Sequence, residues 1–234
     1  MKLNIQLIFV FDGPHRPHKR GAPAGRIPFD DIQLIREVLK QLRIPYHMAP
    51  AEAEAECARM QQLGIVDAVW SDDGDTLMFG ASLLFRWHIE KNKNGKGKKK
   101  SKDVVMAYHA KDIKEKHGLD RDGLVMFAVL CGGDYDVSGL AGCGPYTAKE
   151  INKKEKGLTR ALCGLELKYL PLWRAELVKA VPRTIEVPHT FPKELASSTI
   201  ALRECQPMKS YSAFEGFAVD GRGRMIMWNY GTFY

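Results

Sequence analysis

The chain has 234 residues and a formal net charge of +7, with a pI near 9.1. Apolar residues make up 45% of it, enough for a sizeable core. No run is long and apolar enough for a membrane helix, and residues 1–11 carry no signal-peptide cleavage pattern. The five cysteines are odd in number and include no CxxC, so neither a disulfide framework nor a zinc knuckle is indicated and a reducing intracellular compartment fits best. The basic balance points to a polyanionic partner.

Gln6–Phe11 (QLIFVF) is a continuous apolar run too short for a helix, the pattern of a strand buried on both faces in a parallel sheet. Asp12 follows at its carboxyl end, where open α/β sheets place ligands. Residues 15–26 form a basic loop rich in Pro and Gly. Its Lys19 and Arg20 are phosphate-gripping candidates, with a solvated loop as the equal alternative. Residues 30–42 predict an amphipathic helix with Ile32, Leu34, Ile35, Val38, Leu39 and Leu42 on its apolar stripe.

The organising stretch is PAEAEAECARMQQLGIVDAVWSDDGDTLMFG, residues 50–80. Ala and Glu favour a helix over AEAEAECARMQQL, and Glu52, Glu54 and Glu56 would suit its first turn through the helix dipole or a solvated face. Residues two apart on a helix lie roughly 200° around the axis. Glu52 and Glu54 therefore reach one site only if the helix aims its N-terminus at it. Residues 66–70 (VDAVW) predict a second buried strand, and Ser71–Asp75 an acidic loop at its carboxyl end. Asp73 and Asp75 flank Gly74 and can both turn inward, whereas Asp72 is assigned to capping or solvent. Carboxylates repel, and gathering them is costly unless a cation joins them. Their hard oxygens suit Mg²⁺ or Mn²⁺. These acids, with Asp12 and Asp134, are expected to converge on a metal site.

Residues 83–89 and 104–108 predict a hairpin whose tip, 91–102, holds seven lysines and no apolar residue and reads as disordered. Helices are expected at 110–117 and 120–131. Asp134 then follows a Gly-Gly turn. The glycine-rich stretch from Gly139 through Gly142 and Gly144 to Lys149 opens a further helix, so that backbone N–H groups can meet a phosphate. It lacks the GK[ST] ending of a P-loop. Residues 157–178 are read as helical, 182–192 as extended, and 217–230 (FAVDGRGRMIMWNY) as a hairpin around Asp220-Gly221.

FVFDG (9–13), APAEAEAECA (49–58), SDDGDTLMFG (71–80), GGDYD (132–136) and GLAGCGPYTA (139–148), in that order, resemble the flap endonuclease/XPG family of structure-specific 5′ nucleases. GGDYDVSGLAGCGP and IEVPHTFP look most like the fungal Holliday-junction resolvase branch. The resemblance implies an α/β fold: a PIN-like nuclease core with a mostly parallel sheet flanked by helices, followed by a helical helix–hairpin–helix region. The corresponding division is 1–110, 111–180 and a C-terminal extension, 181–234. It further implies that Asp12, Glu52 and Glu54 hold one Mg²⁺ and Asp73, Asp75 and Asp134 a second, with Mn²⁺ able to substitute. A K⁺ ion is implied at the hairpin of Gly139, Gly142 and Gly144. The implied activity is metal-dependent cutting of phosphodiester bonds near flaps or Holliday junctions, in DNA repair and recombination in the nucleus. The partner is branched or flapped duplex DNA, with room for a dimer on a four-way junction.

Members of that family begin with Met-Gly and a first strand carrying a further metal-binding Asp. The resemblance implies that this segment and a central strand are missing here. A catalytically impaired DNA-binding fragment is therefore the alternative function. The short interval from Asp12 to Glu52 disfavours threading of a free 5′ end. A PIN-type ribonuclease is a third reading, against which the duplex-gripping hairpin argues.

Overall fold

The computed structural model describes residues 5–15, 29–91, 98–133, 137–164, 167–192 and 224–229. Among these, six strands form one sheet in the order β2-β1-β6-β3-β4-β5. The strands are β1 (Ile5–Phe11), β2 (Tyr46–Met48), β3 (Ala68–Trp70), β4 (Leu83–Lys91), β5 (Lys98–His109) and β6 (Arg224–Asn229). All neighbours pair parallel except the antiparallel β4–β5 hairpin. The expected α/β class with a mostly parallel sheet holds. Ala68 and Val69 are buried on opposite faces of β3, while β1 buries Ile8 and Val10 on one face and half-buries Leu7 and Phe9 on the other.

Three helices belong with this sheet: α1 (Phe29–Gln41), α2 (Ala53–Gln62) and the single turn α3 (Asp75–Met78). They and the six strands form one compact unit. Helix α2 is the buried one, with Cys57, Ala58 and Met60 wholly enclosed. Helix α1 departs from the expected stripe. Leu39 is buried, but Leu34, Val38 and Leu42 are exposed. The six apolar positions span an arc of about 160°, wider than a single line of contact covers.

The second unit contains α4 (Ala110–His117) beyond its first residue, α5 (Arg121–Cys131), α6 (Pro145–Lys154), α7 (Lys156–Gly164), a 3-10 turn at Leu167–Tyr169 and α8 (Leu170–Ala180). Its core gathers Met126, Leu130, Leu140, Cys143, Ile151, Leu162, Trp173 and Leu177. The Trp173 indole N–H donates to the Leu158 carbonyl at 3.1 Å. Asp120 caps α5 by accepting from the Gly123 N–H at 3.1 Å.

One sequence expectation is corrected here. The lysine-rich stretch is not wholly a disordered loop, because Lys98–Lys102 open β5 and Lys98, Lys99 and Lys100 pair with Lys91, Glu90 and Ile89. The ladder supplies backbone partners that composition does not foresee. The extension 181–234 contributes a strand to the sheet. Its residues 224–229 form β6, inserted between β1 and β3 and parallel to both. The hairpin read around Asp220-Gly221 has its turn outside the described residues, and β6 pairs with β1 and β3. The run MIMW had the continuous apolar pattern of a strand buried on both faces.

Candidate metal site and nucleic-acid interface

Strand β1 delivers Asp12 to the carboxyl edge of the sheet, and Gly13 brings the second chain segment to it. A Cβ on Gly13 would lie 1.8 Å from the Ala49 carbonyl oxygen, so only glycine admits that approach. Backbone bonds from Gly13 to Ala51 (2.6 Å), His15 to Pro50 (3.2 Å) and Ala49 to Phe11 (2.9 Å) fasten residues 49–51 there. Helix α2 thus begins against the end of β1. The Ala53 N–H donates to Asp12 Oδ1 at 2.9 Å. Asp12 therefore serves as the helix cap from another strand. Glu52 occupies the N-cap position and makes no side-chain cap bond itself.

The helix is aimed end-on, as two glutamates at i and i+2 require. Glu52, Glu54 and Glu56 are not a solvated face: they are 2%, 5% and 2% exposed. Burial pushes the Cys57 thiol well above its ordinary value, and the nearby charges of Glu54, Glu56 and Asp12 raise it further. One buried atom therefore lies within the field of all three carboxylates. Glu56 turns towards β2, where its Oε1 lies 2.8 Å from His47 Nε2 in a pair buried on both sides.

Strand β3 delivers the second acid group at the same edge. Ser71 is buried and its Oγ accepts from the Asp73 N–H at 3.0 Å. Asp73 Oδ1 accepts from the Asp75 N–H at 2.9 Å, and the Asp73 carbonyl accepts from Thr76 Oγ1 at 3.1 Å. The side-chain acceptor in this turn is Asp73, and α3, with Gly74 as its N-cap, has no side-chain cap bond. The Arg86 guanidinium donates to the Asp72 carbonyl.

The structure therefore brings Asp12, Glu52 and Glu54 to one helix start, and Asp73 and Asp75 to one turn. Asp134, Lys19 and Arg20 lie outside the described residues. Among the described residues, no group of three His, Cys, Asp or Glu side chains is placed to hold an ion. Mg²⁺ commonly takes only one or two carboxylates and keeps several waters. Glu52 and Glu54 are buried and Asp12, Asp73 and Asp75 half-buried, and all are oxygen donors of the kind that suits such an ion.

In the second unit, the glycine hairpin is held from below. The Leu140 N–H donates to the Leu130 carbonyl at 2.8 Å, and Leu140 and Cys143 enter the core. Gly139 has φ +53, and a Cβ there would meet the Gly132 nitrogen at 2.4 Å. Gly142 has φ +79. Gly144 is the N-cap of α6 with open space around it, followed by Pro145 and by Tyr146, which is 80% exposed. Lys149 Nζ lies 3.2 Å from His117 Nδ1. Gly139 is thus needed for packing, whereas Gly144 presents a helix N-terminus to solvent.

Residues 43–134 match the family model of the XPG I-region. The chain carries this region and is similar over it to proteins of the XPG/flap endonuclease family. The I-region runs from just before β2 to Asp134, and Asp12 precedes it. The DNA repair protein RAD2 of Saccharomyces cerevisiae is 36% identical over 55% of this chain and 11% of its own length. Flap endonuclease GEN homolog 1 of Mus musculus is 31% identical over 67% of this chain and 18% of its own length. A eukaryotic junction-resolving enzyme GEN-1 superposes with TM-score 0.65 and 29% identity, over 93% of this chain and 52% of that one. Other GEN1 structures contain product DNA with Mg²⁺ and Mn²⁺, or potassium. The chain spans about a tenth to a half of the length of these relatives.

Sequence reasoning missed three parts of the I-region. His47 gave no signal because its partner Glu56 is nine positions away. Arg86 read as one residue of a strand. Gln61 was an ordinary helix residue, yet its side chain bonds the Asp67 and Leu83 carbonyls and the Ser82 N–H. Through Gln61, α2 is tied to both strands flanking the acidic turn.

Proposed function

We propose that this chain is a divalent-metal-dependent structure-specific DNA endonuclease that cuts phosphodiester bonds near branched junctions, as a nuclear DNA-repair or recombination enzyme. The observation that carries the proposal is the delivery of Asp12, with Glu52 and Glu54, to the sheet edge where Asp73 and Asp75 leave β3. In this reading Asp12, Glu52 and Glu54 hold one Mg²⁺, and Asp73, Asp75 and Asp134 hold the second, with Mn²⁺ as substitute. Such a pair supplies an activated water and stabilises the leaving oxygen of an in-line displacement. The acids act as ligands and need no tuned proton affinity. Gly142, Gly144 and Lys149 contact duplex backbone at the start of α6, where K⁺ is the monovalent ion expected. Lys19 and Arg20 grip phosphates.

The test is cleavage of labelled flap and four-way-junction DNA with Mg²⁺ and with EDTA. Cutting that requires Mg²⁺ and falls at least about 100-fold in Glu54→Gln is expected, the upper end of what even outer-shell partners of a metal cost. DNA binding without cutting would leave the impaired DNA-binding reading in its place.

A further inference from the structure

The sheet order separates the two acid groups by one strand, and that strand comes from the far end of the chain. β6 lies between β1 and β3 and is parallel to each. Its register runs from Ile5↔Arg224 to Val10↔Asn229 on one side and from Ala68↔Ile226 to Trp70↔Trp228 on the other. Asp12 follows Val10 by two residues, and Asp73 follows Trp70 by three. The last residues of β6 therefore reach the edge from which both acid groups emerge.

Without β6 the ladder divides into β2–β1 and β3–β4–β5, since the pairing of β1 with β2 involves only Phe9–Phe11. A two-stranded sheet is marginal alone. With β6 in place, β1 and β3 stand two strand spacings apart, roughly 9.5 Å. That spacing and the common register fix where Asp12 stands relative to Asp73.

We infer that β6 is a positioning element of the metal site: it sets the distance and register between the Asp12–Glu52–Glu54 group and the Asp73–Asp75 turn. This rests on the metal-site reading above. The strand occupies the central slot of the sheet, between β1 and β3. Competence for metal binding then depends on a segment remote in sequence from every acid.

The test is Mn²⁺ binding, measured by calorimetry and by electron paramagnetic resonance on the full chain. Met227 pairs with both Ile8 and Val69, and proline there removes a ladder donor in a central strand. Met227→Pro is expected to weaken Mn²⁺ binding at least tenfold, with Met227→Val within twofold of the parent. Leu39→Ala, which destabilises through α1 without touching the spacing, is expected to retain parental affinity. A second full-length variant, Leu7→Cys with Ile226→Cys, joins register partners. Its disulfide should form in the folded chain and leave Mn²⁺ affinity within threefold.

Parental affinity in folded Met227→Pro would overturn the inference, as would an equal loss in Leu39→Ala. Should Met227→Pro not fold, the cysteine pair decides: failure to crosslink overturns the inference, and a crosslinked chain with parental affinity supports it. A parent chain that binds no Mn²⁺ would instead refute the metal reading itself.

Discussion

The His47–Glu56 pair allows a sharp test of how α2 is seated. Its atoms are 2.8 Å apart, and the side chains are 6% and 2% exposed. His47 stands in β2 opposite Val10, and Glu56 lies one turn beyond Glu52, to whose carbonyl its N–H donates at 3.2 Å. Replacing His47 by alanine removes a buried partner of a buried carboxylate. Truncating one member of such a pair costs about 3–5 kcal/mol, against about 0–1 kcal/mol for an exposed pair. Replacing both by apolar residues of similar volume, His47→Phe with Glu56→Met, is close to neutral because no polar group is stranded. Urea unfolding of His47→Ala, Glu56→Ala and the double alanine variant gives the coupling directly. We expect singles near 3 kcal/mol and a double well below their sum. Additive singles, or singles under about 1 kcal/mol, would refute the description of the pair as buried and mutually dependent.

Asp12→Asn keeps an oxygen acceptor for the Ala53 N–H, so stability should change by less than about 1 kcal/mol, while calorimetric Mn²⁺ affinity falls at least about tenfold through the lost charge. Gly139→Ala meets backbone at 2.4 Å and φ +53 whereas Gly144→Ala meets nothing; urea unfolding should show the first costing more than about 2 kcal/mol and the second under about 1 kcal/mol. The Cys143 thiol is pushed up to about 11 by burial and then by Cys131, so the stability it contributes is full below the unfolded thiol's value and is lost as pH rises from about 9 through 11. Cys143→Ala should flatten that part of the urea-midpoint profile, and Cys57, raised by burial and neighbouring acids, should resist iodoacetamide at pH 8 until the chain unfolds.

Local chemistry was legible from the sequence. The run before Asp12, the helix from Ala53 and the acid turn after Trp70 all stand where periodicity and strand-end reasoning put them. The i, i+2 spacing of Glu52 and Glu54 made an end-on α2 the condition for a shared site, and the family resemblance chose it. What could not be read was non-local. No spacing rule joins His47 to Glu56, Gln61 to Ser82, or residues 224–229 to the centre of the sheet, because each depends on a fold that brings distant segments together. The Asp220-Gly221 dipeptide drew a local hairpin reading, yet β6 takes partners more than 150 positions away. Gly139 was read as part of a phosphate-binding hairpin and Gly13 as part of the FVFDG motif, and the need of both for glycine lies in backbone contacts visible only after folding.

The burial of α2's first turn also decides between two accounts of its acids. A helix dipole stabilises a first-turn carboxylate by about 0.3–1 kcal/mol at an exposed site. Removing an ionised carboxylate from water costs several kcal/mol even after relaxation. For Glu56 the nearby His47 offsets that cost. Asp12 receives one helix N–H, and the next acids, Glu52 and Glu54, are 2% and 5% exposed. If dipole stabilisation were their whole purpose, a solvated first turn would serve better. The cation proposed above, a hard divalent ion suited to carboxylate donors, would offset the cost of that enclosure. Neutralising Glu54 as glutamine should therefore stabilise the metal-free chain while abolishing its stabilisation by Mg²⁺, a pair of opposite signs that a merely capping glutamate would not give.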